Sequence, residues 1–239
     1  MDTTPDNKKT PNQRPAVMLK LPGITLEGRS AIVALLALVV LIAALIAYFK
    51  PKVFLSPLWV SGALWILFIG YWSAAAKNAS PAQSSESQSS RKLHEYLMNG
   101  ALLLLFVPVP GLGRRFLPAA SFIVPLGLTI HTAAILLAVW ARRRLGRNWS
   151  GAITVKVDHQ LVRSGPYRVV RHPIYSAMLG MFLGTAIVSG QLHALLAVVI
   201  MVGAYWRKIR LEERSLRKVF GAAYDAYCRD SWALIPGLF

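Results

Sequence analysis

Long apolar runs constrain this chain more than any other feature. Stretches of 16–25 residues with few charges recur at 31–49, 57–76, 94–109, 117–141, 173–190 and 191–206. A helix needs about 20 apolar residues to cross a hydrocarbon layer roughly 30 Å thick. Backbone polar groups in lipid must be satisfied within the chain, so such segments are read as helices. Composition agrees: 55% of residues are hydrophobic, only 15% are charged, and mean hydropathy is +0.46. The expected fold class is all-α, a polytopic helical membrane protein with about six transmembrane helices.

The punctuation between the runs divides the chain. Residues 1–29, rich in Pro, Thr, Lys and Asn, read as a disordered tail with a surface-lying piece near Val17 to Leu26. They show no short apolar core followed by a small-residue cleavage site, so no signal peptide is expected. Residues 30–76 hold two spans, with Lys50-Pro51-Lys52 closing the first. Residues 77–92, rich in Ser, Gln and Ala, read as a flexible linker. Residues 93–239 form the remaining block, where Pro125 is expected to kink the fourth span. Beyond the sixth run, residues 207–230 read as a separate charged, amphipathic helix with Leu211, Leu216, Val219, Phe220, Ala223 and Tyr227 on one face.

Charge placement predicts topology. With the N-terminus inside and six crossings, 23 of the 27 Lys and Arg fall on the inner side, and only Lys50, Lys52, Arg114 and Arg115 fall outside. That asymmetry places both termini in the cytoplasm. It also explains the net charge of +17 without nucleic acid, for which no basic-aromatic motif appears. The single Cys228 excludes an intrachain disulfide and a multi-cysteine metal site, and no metal is expected. Gly111-Leu112-Gly113 follows no strand and lacks a third glycine, so it is not a dinucleotide fingerprint. His131, inside the fourth span, reads as a helix-contact residue.

Two polar clusters fall on the same inner side. One is residues 158–175, where Pro173 opens a helix whose first-turn N–H groups suit an anion. The other is Lys208, Arg210, Glu212 and Glu213, after the sixth run. Spans five and six form a hairpin, so the clusters should face each other around a ligand bearing both a carboxylate and an ammonium. Glu212 and Glu213 also suit a solvated helix face, pairing with Lys208, Arg210 or Arg217. His172 likewise suits either a ligand contact or an ordinary helix start.

The pattern His159-x-Leu161-Val162-x-x-Gly165-Pro166-Tyr167-x-x-x-Arg171-His172-Pro173-x-Tyr175 is followed by Glu212-Glu213-x-x-Leu216 and Phe220-Gly221-x-x-Tyr224-x-x-Tyr227. Over about residues 140–239 this resembles the isoprenylcysteine carboxyl methyltransferase family. The phospholipid N-methyltransferases share its Arg-His-Pro-x-Tyr and Glu-Glu parts. The resemblance implies a membrane enzyme with a C-terminal cytoplasmic region that binds S-adenosyl-L-methionine. It assigns the cofactor to His159, Gln160, Leu161, Val162, Tyr167, His172, Pro173, Ile174 and Tyr175, with Glu212 and its neighbour Glu213. It assigns the methyl acceptor to a basic residue one turn before Glu212. That position is Lys208, where the family carries Arg, and Arg207 or Arg210 are candidate substitutes. Lys keeps the charge without bidentate recognition of a carboxylate. Ala177 stands where the family carries Gly.

The implied activity is carboxyl O-methylation of a lipophilic or prenylated acceptor that enters from the bilayer, with Lys208 or Arg210 orienting it. A carboxylate nucleophile needs no base, whereas an amine would need Glu213 or His172 to take its proton. The alternatives are a phospholipid N-methyltransferase, a nicotinamide-dependent sterol reductase-like enzyme and a non-enzymatic membrane scaffold. Oligomeric state and the task of the first two spans are not legible here.

Overall fold

The computed structural model describes residues 18–21, 24–27, 56–76, 82–150, 154–156 and 160–238. The first expected span, residues 31–49, lies outside the described residues. The chain divides into two compact units, residues 1–55 and 56–239. In the first, strands β1 (Met18–Leu21) and β2 (Ile24–Glu27) pair antiparallel with Met18 opposite Glu27. A disordered tail with a surface-lying piece near Val17 to Leu26 was expected there. The alternating Ile24-Thr25-Leu26-Glu27 suits a strand, and the intervening Pro22-Gly23 is a turn-forming pair.

The second unit is helical. Its helices are α1 (Leu58–Ala76), α2 (Gln88–Phe106), α3 (Ile123–Leu145), α4 (Pro173–Ser189), α5 (Leu192–Phe220) and α6 (Ala222–Arg229). A short antiparallel pair of strands, β3 (Ala82–Ser85) and β4 (Thr154–Lys156), joins two of the polar stretches. Part of the expected linker is therefore a strand, and α2 begins as early as Gln88, capped by the Ser87 side chain on the Ser90 N–H.

Among the described residues, α1, α3 and α5 are long and apolar enough to cross a membrane, while α4 is apolar but shorter. The expected third span differs, because α2 carries Arg91, Lys92 and Glu95 in its first half. The expected fourth span starts later, at Ile123. Pro125 thus falls in the first helical turn, where its missing N–H costs nothing, rather than mid-helix where it would kink. The sixth span and the following charged helix are one continuous 29-residue helix, α5, with the break displaced to Gly221 (φ 51°). Past that break the buried face is Tyr224 and Tyr227, and Ala223 is exposed.

The helices meet at a seam of small residues. Helices α3 and α4 pack through Gly127, His131 and Ala134 against Gly180 and Gly184. A Cβ placed on Gly184 would lie 2.7 Å from both the Gly127 carbonyl oxygen and the His131 backbone nitrogen. Small residues let backbones approach where lipid supplies no hydrophobic driving force. His131 is fully buried there. Its Nδ1 lies 3.3 Å from Thr185 Oγ1, which accepts a hydrogen bond from Trp65 of α1 at 3.0 Å. This matches its reading as a helix-contact residue. Ala177 is also in the core, 1% exposed. At the polar end, Arg142 of α3 donates to the Ala75 carbonyl of α1 (2.6 Å) and the Gly146 carbonyl (2.7 Å) and lies over Trp149.

Gly184→Ala is expected to lower stability by about 1–3 kcal/mol, because the methyl meets two backbone atoms of α3. A thermal unfolding midpoint in detergent equal to that of wild type would show that the seam can open without cost.

Candidate functional site

The polar loop before α4 is shaped by its own sequence. Gly165 adopts a left-handed φ of 61° and begins a 3-10 turn, Gly165–Arg168, with Pro166 inside it. That turn buries Tyr167, whose carbonyl accepts a 2.5 Å hydrogen bond from the Tyr227 hydroxyl. His172 caps α4 and Pro173 takes the first helical position. The Tyr175 and Ser176 N–H groups donate to the His172 carbonyl, at 3.0 and 3.1 Å. The Tyr175 N–H, one of the first-turn donors expected for an anion, is therefore already used, while the Ser176 bond is the regular first i→i−4 bond of the helix.

The C-terminal segment straps this loop. The Arg171 N–H donates to the Trp232 carbonyl (2.8 Å), the His172 N–H to the Ala233 carbonyl (3.0 Å), and the Ser176 hydroxyl to the Leu234 carbonyl (2.6 Å). The Arg171 guanidinium also donates to the carbonyls of Cys228 and Ser231.

The two carboxylates of α5 separate into different roles. Both lie beyond its apolar stretch, which ends at Trp206. Glu213 is buried in an ion pair with Arg171 (Nε to Oε1, 3.0 Å) and also meets His172 Nε2 (3.4 Å) and Arg217 one turn on (3.4 Å). Burial pushes its pKa up, but the hydrogen bond and charge of His172, with those of Arg171, outweigh burial and hold it at about 2. Glu212 instead accepts a 2.6 Å hydrogen bond from the Tyr175 hydroxyl and lies 3.7 Å from His172 Nδ1. Glu213 has the expected i,i+4 partner in Arg217 but is buried rather than on a solvated face, and Glu212 is the carboxylate that faces the cleft.

A cleft of about 120 Å³ opens between the loop and α5. Gln160, Leu161, Val162, Tyr167, His172, Ile174, Tyr175 and Glu212 all line it. Pro173 is buried behind the wall, and Glu213 stands behind His172. His159 lies outside the described residues. Sequence reasoning did not assign Trp149, Phe220, Tyr224 or Tyr227 to this site, although the Phe-Gly-x-x-Tyr-x-x-Tyr spacing was the available signal for three of them. Arg171, whose side chain bridges loop, α5 and C-terminal strap, was also left out. The hydroxyls of Tyr167 and Tyr224 are buried without a hydrogen-bond partner, and both residues line the cleft. Burial raises the Tyr167 pKa well above the ordinary phenol value, with Glu212 adding to it, so this hydroxyl keeps its proton. Two hydroxyls, a carboxylate and aromatic walls suit a ligand that combines a cation, hydroxyls and a flat ring.

A second cavity, about 740 Å³, adjoins the first between α1, α2, α4 and α5. The two share Trp149, Ser150, Ile174 and Tyr175 as walls. Apolar side chains such as Phe68, Met98, Leu102 and Phe182 line it, and its polar groups include Lys208, His94, Asn99, Arg91 and Glu95. Lys208 is 8% exposed, and its Nζ lies 5.8 Å from the Tyr175 ring centre. Rings stack from His172 to Tyr175 (5.4 Å) and from Tyr175 to Tyr205 (4.8 Å), linking the cavities. Arg210 is exposed over Trp206 and lines neither cavity, so it is not placed to orient a ligand. Arg207 is engaged with the Ser90 hydroxyl.

Comparison with known proteins bears on what this arrangement is. Residues 122–223 match the family model for phospholipid methyltransferases. Over 123 residues the chain is 28% identical to protein-S-isoprenylcysteine O-methyltransferase B of Arabidopsis thaliana, covering 50% of this chain and 60% of that one. Over 121 residues it is 33% identical to the cobalt-zinc-cadmium resistance protein CzcN of Cupriavidus metallidurans, covering 49% of this chain and 53% of that one. The chain thus spans only a little over half the length of these relatives. The fold is similar to that of the eukaryotic intramembrane Ras methyltransferase, isoprenylcysteine carboxyl methyltransferase. There the TM-score is 0.50 at 22% identity, over 64% of this chain and 54% of that one. The resemblance to isoprenylcysteine and phospholipid methyltransferases is therefore supported by sequence, and the fold by structure.

Arg171→Ala is expected to cost about 3 kcal/mol of stability, since it takes the nearest cation away from a buried carboxylate. Glu213 also sets a pH dependence. Its folded pKa of about 2 lies below the ordinary 4.5, so its contribution is present above about pH 4.5 and fades as pH falls towards 2. Acid unfolding should accordingly be steeper for wild type than for Glu213→Gln. Superimposable acid transitions would remove the ion pair from this account.

Proposed function

We propose that this chain is an integral membrane methyltransferase that uses S-adenosyl-L-methionine to methylate the carboxylate of a lipophilic, isoprenylcysteine-type acceptor. One observation carries the reading: the motif residues of the loop and Glu212 of α5, far apart in sequence, line a single cleft that shares a wall with an apolar cavity. In this reading residues 93–239 are the methyltransferase core. The site faces the cytoplasm with both termini, as the placement of Lys and Arg supports.

Glu212 is the counter-charge for a cationic cofactor, and the Tyr167 and Tyr224 hydroxyls supply polar contacts for it. Gln160, Leu161, Val162 and Ile174 complete the walls, while Pro173 and Glu213 hold His172 in place. His159 belongs to the same set by sequence position. The cleft is smaller than the roughly 300–1,000 Å³ of small-molecule sites. Occupation therefore has to part its walls, and the Tyr175–Glu212 hydrogen bond spans them.

When bound, S-adenosyl-L-methionine supplies a methyl group on a sulfonium sulfur, which keeps the bonding electron pair as the acceptor oxygen takes the methyl. The protein's part is positioning, which in well-oriented pairs accounts for up to roughly 7–11 kcal/mol of barrier. Lys208 orients the acceptor carboxylate from the far side of Tyr175. The adjoining cavity takes the hydrophobic tail, entering from the bilayer. No general base is required for a carboxylate nucleophile. The match to phospholipid methyltransferases favours one second reading, an amine acceptor, for which His172, stacked on Tyr175 of the shared wall, would be the base.

Glu212→Ala and His172→Ala are expected to abolish cofactor binding in calorimetry while leaving the protein folded. Unchanged binding in both would refute the cleft assignment. Incubating the purified protein with radiolabelled cofactor and membrane extract separates the two acceptors. A carboxyl methyl ester releases methanol in alkali, and a methylated amine does not.

A further inference from the structure

A histidine that lines the adjoining cavity carries a polar atom with no assigned task. His94, on α2, is 7% exposed, and its Nδ1 is buried without a hydrogen-bond partner. The ring lines the cavity and stands edge-on to Tyr205, 5.3 Å between centres. Tyr205 and Lys208 are three residues apart on α5, so both present to the same side. The other charged groups at this rim, Arg91 and Glu95, pair with each other at 3.2 Å and are half-exposed. His94 and Lys208 are the buried imidazole and the buried ammonium in the lining of this largely apolar chamber. A buried polar atom left unpaired is costly and calls for a partner. A single ammonium attracts a carboxylate without fixing its plane, whereas a second donor beside it does both.

We propose that His94 binds the acceptor: its Nδ1–H and the Lys208 ammonium together hold the carboxylate headgroup of a lipophilic acid in this cavity. The inference rests on the reading of this cavity as the acceptor site, and it adds a residue from α2, outside the stretch that carries the motifs. It also gives the N-terminal helices of the described unit a chemical task. Trp65 and Phe68 of α1 flank the tail, and α2 reads the head.

The test uses the full chain in detergent with two probes, N-acetyl-S-farnesylcysteine and its carboxamide, which share a tail and differ in the headgroup charge. Trp65, Trp72 and Trp149 line the cavity, so tryptophan fluorescence reports its occupation. Wild type should bind the acid more tightly than the carboxamide. His94→Ala should weaken acid binding roughly tenfold to a hundredfold, as expected for a hydrogen bond to a charged group, while leaving the carboxamide's affinity unchanged. His94→Asn, which keeps an N–H near the Nδ1 position, should restore most of the difference. Unchanged acid affinity in His94→Ala overturns the proposal, and so does an equal loss for both probes, which would mark His94 as a packing residue. Calorimetry with S-adenosyl-L-methionine on the same samples keeps the readings apart. Failure of wild type to bind it sinks the methyltransferase reading, while the acid-to-carboxamide difference decides His94 alone.

Discussion

The candidate site depends on one contact, the meeting of Arg171 and His172 with Glu213. It ties the loop before α4 to the polar end of α5, which is 41 residues away in sequence. A buried ion pair is a poor source of net stability, because desolvation offsets most of the attraction. Its value here is one of position. With Arg171 and His172 held by Glu213, the neighbouring Glu212 is left to face Tyr175 and the cleft. Arg171 also reaches the C-terminal carbonyls, so the same residue fastens the strap over the loop.

Behind this contact stands a bundle made rigid by small residues. Gly127, Gly180 and Gly184 let α3 and α4 approach until almost no space remains between their backbones. That closeness fixes how α4 lies against α3, and His172 and Tyr175 stand at the start of α4. Tyr175 then serves two chambers. One face belongs to the cleft with Glu212, while Lys208 and Tyr205 approach it from the apolar cavity. A wall shared between a polar cleft and an apolar chamber is what group transfer between a polar donor and a lipid-soluble acceptor requires.

Much of the site was legible because its residues cluster in short polar stretches within an apolar chain, where polar side chains are expensive. Gln160 through Tyr175 stood out on that ground, and Glu212 with them. Other parts were not legible. Arg210 looked equivalent to Lys208 by charge, but two residues along a helix is about 200° of rotation, which places Arg210 over Trp206 on the outer face. His94 carried no motif, since its neighbours in the cavity come from α1, α4 and α5. The kink expected at Pro125 failed because the helix starts two residues before it, and a helix start is set by local hydrogen bonding that hydropathy does not report.

The sequence by itself determined that the chain is a helical membrane protein and which polar residues are too costly to be incidental. Periodicity and transfer energy act locally, so they can be read one segment at a time. Only the tertiary structure decided that Glu213 is internal scaffolding while Glu212 faces the cleft, and that Lys208 shares a chamber with a histidine more than a hundred residues earlier. Those assignments depend on which helix faces pack together, and packing is a property of the assembled bundle rather than of any one stretch of chain.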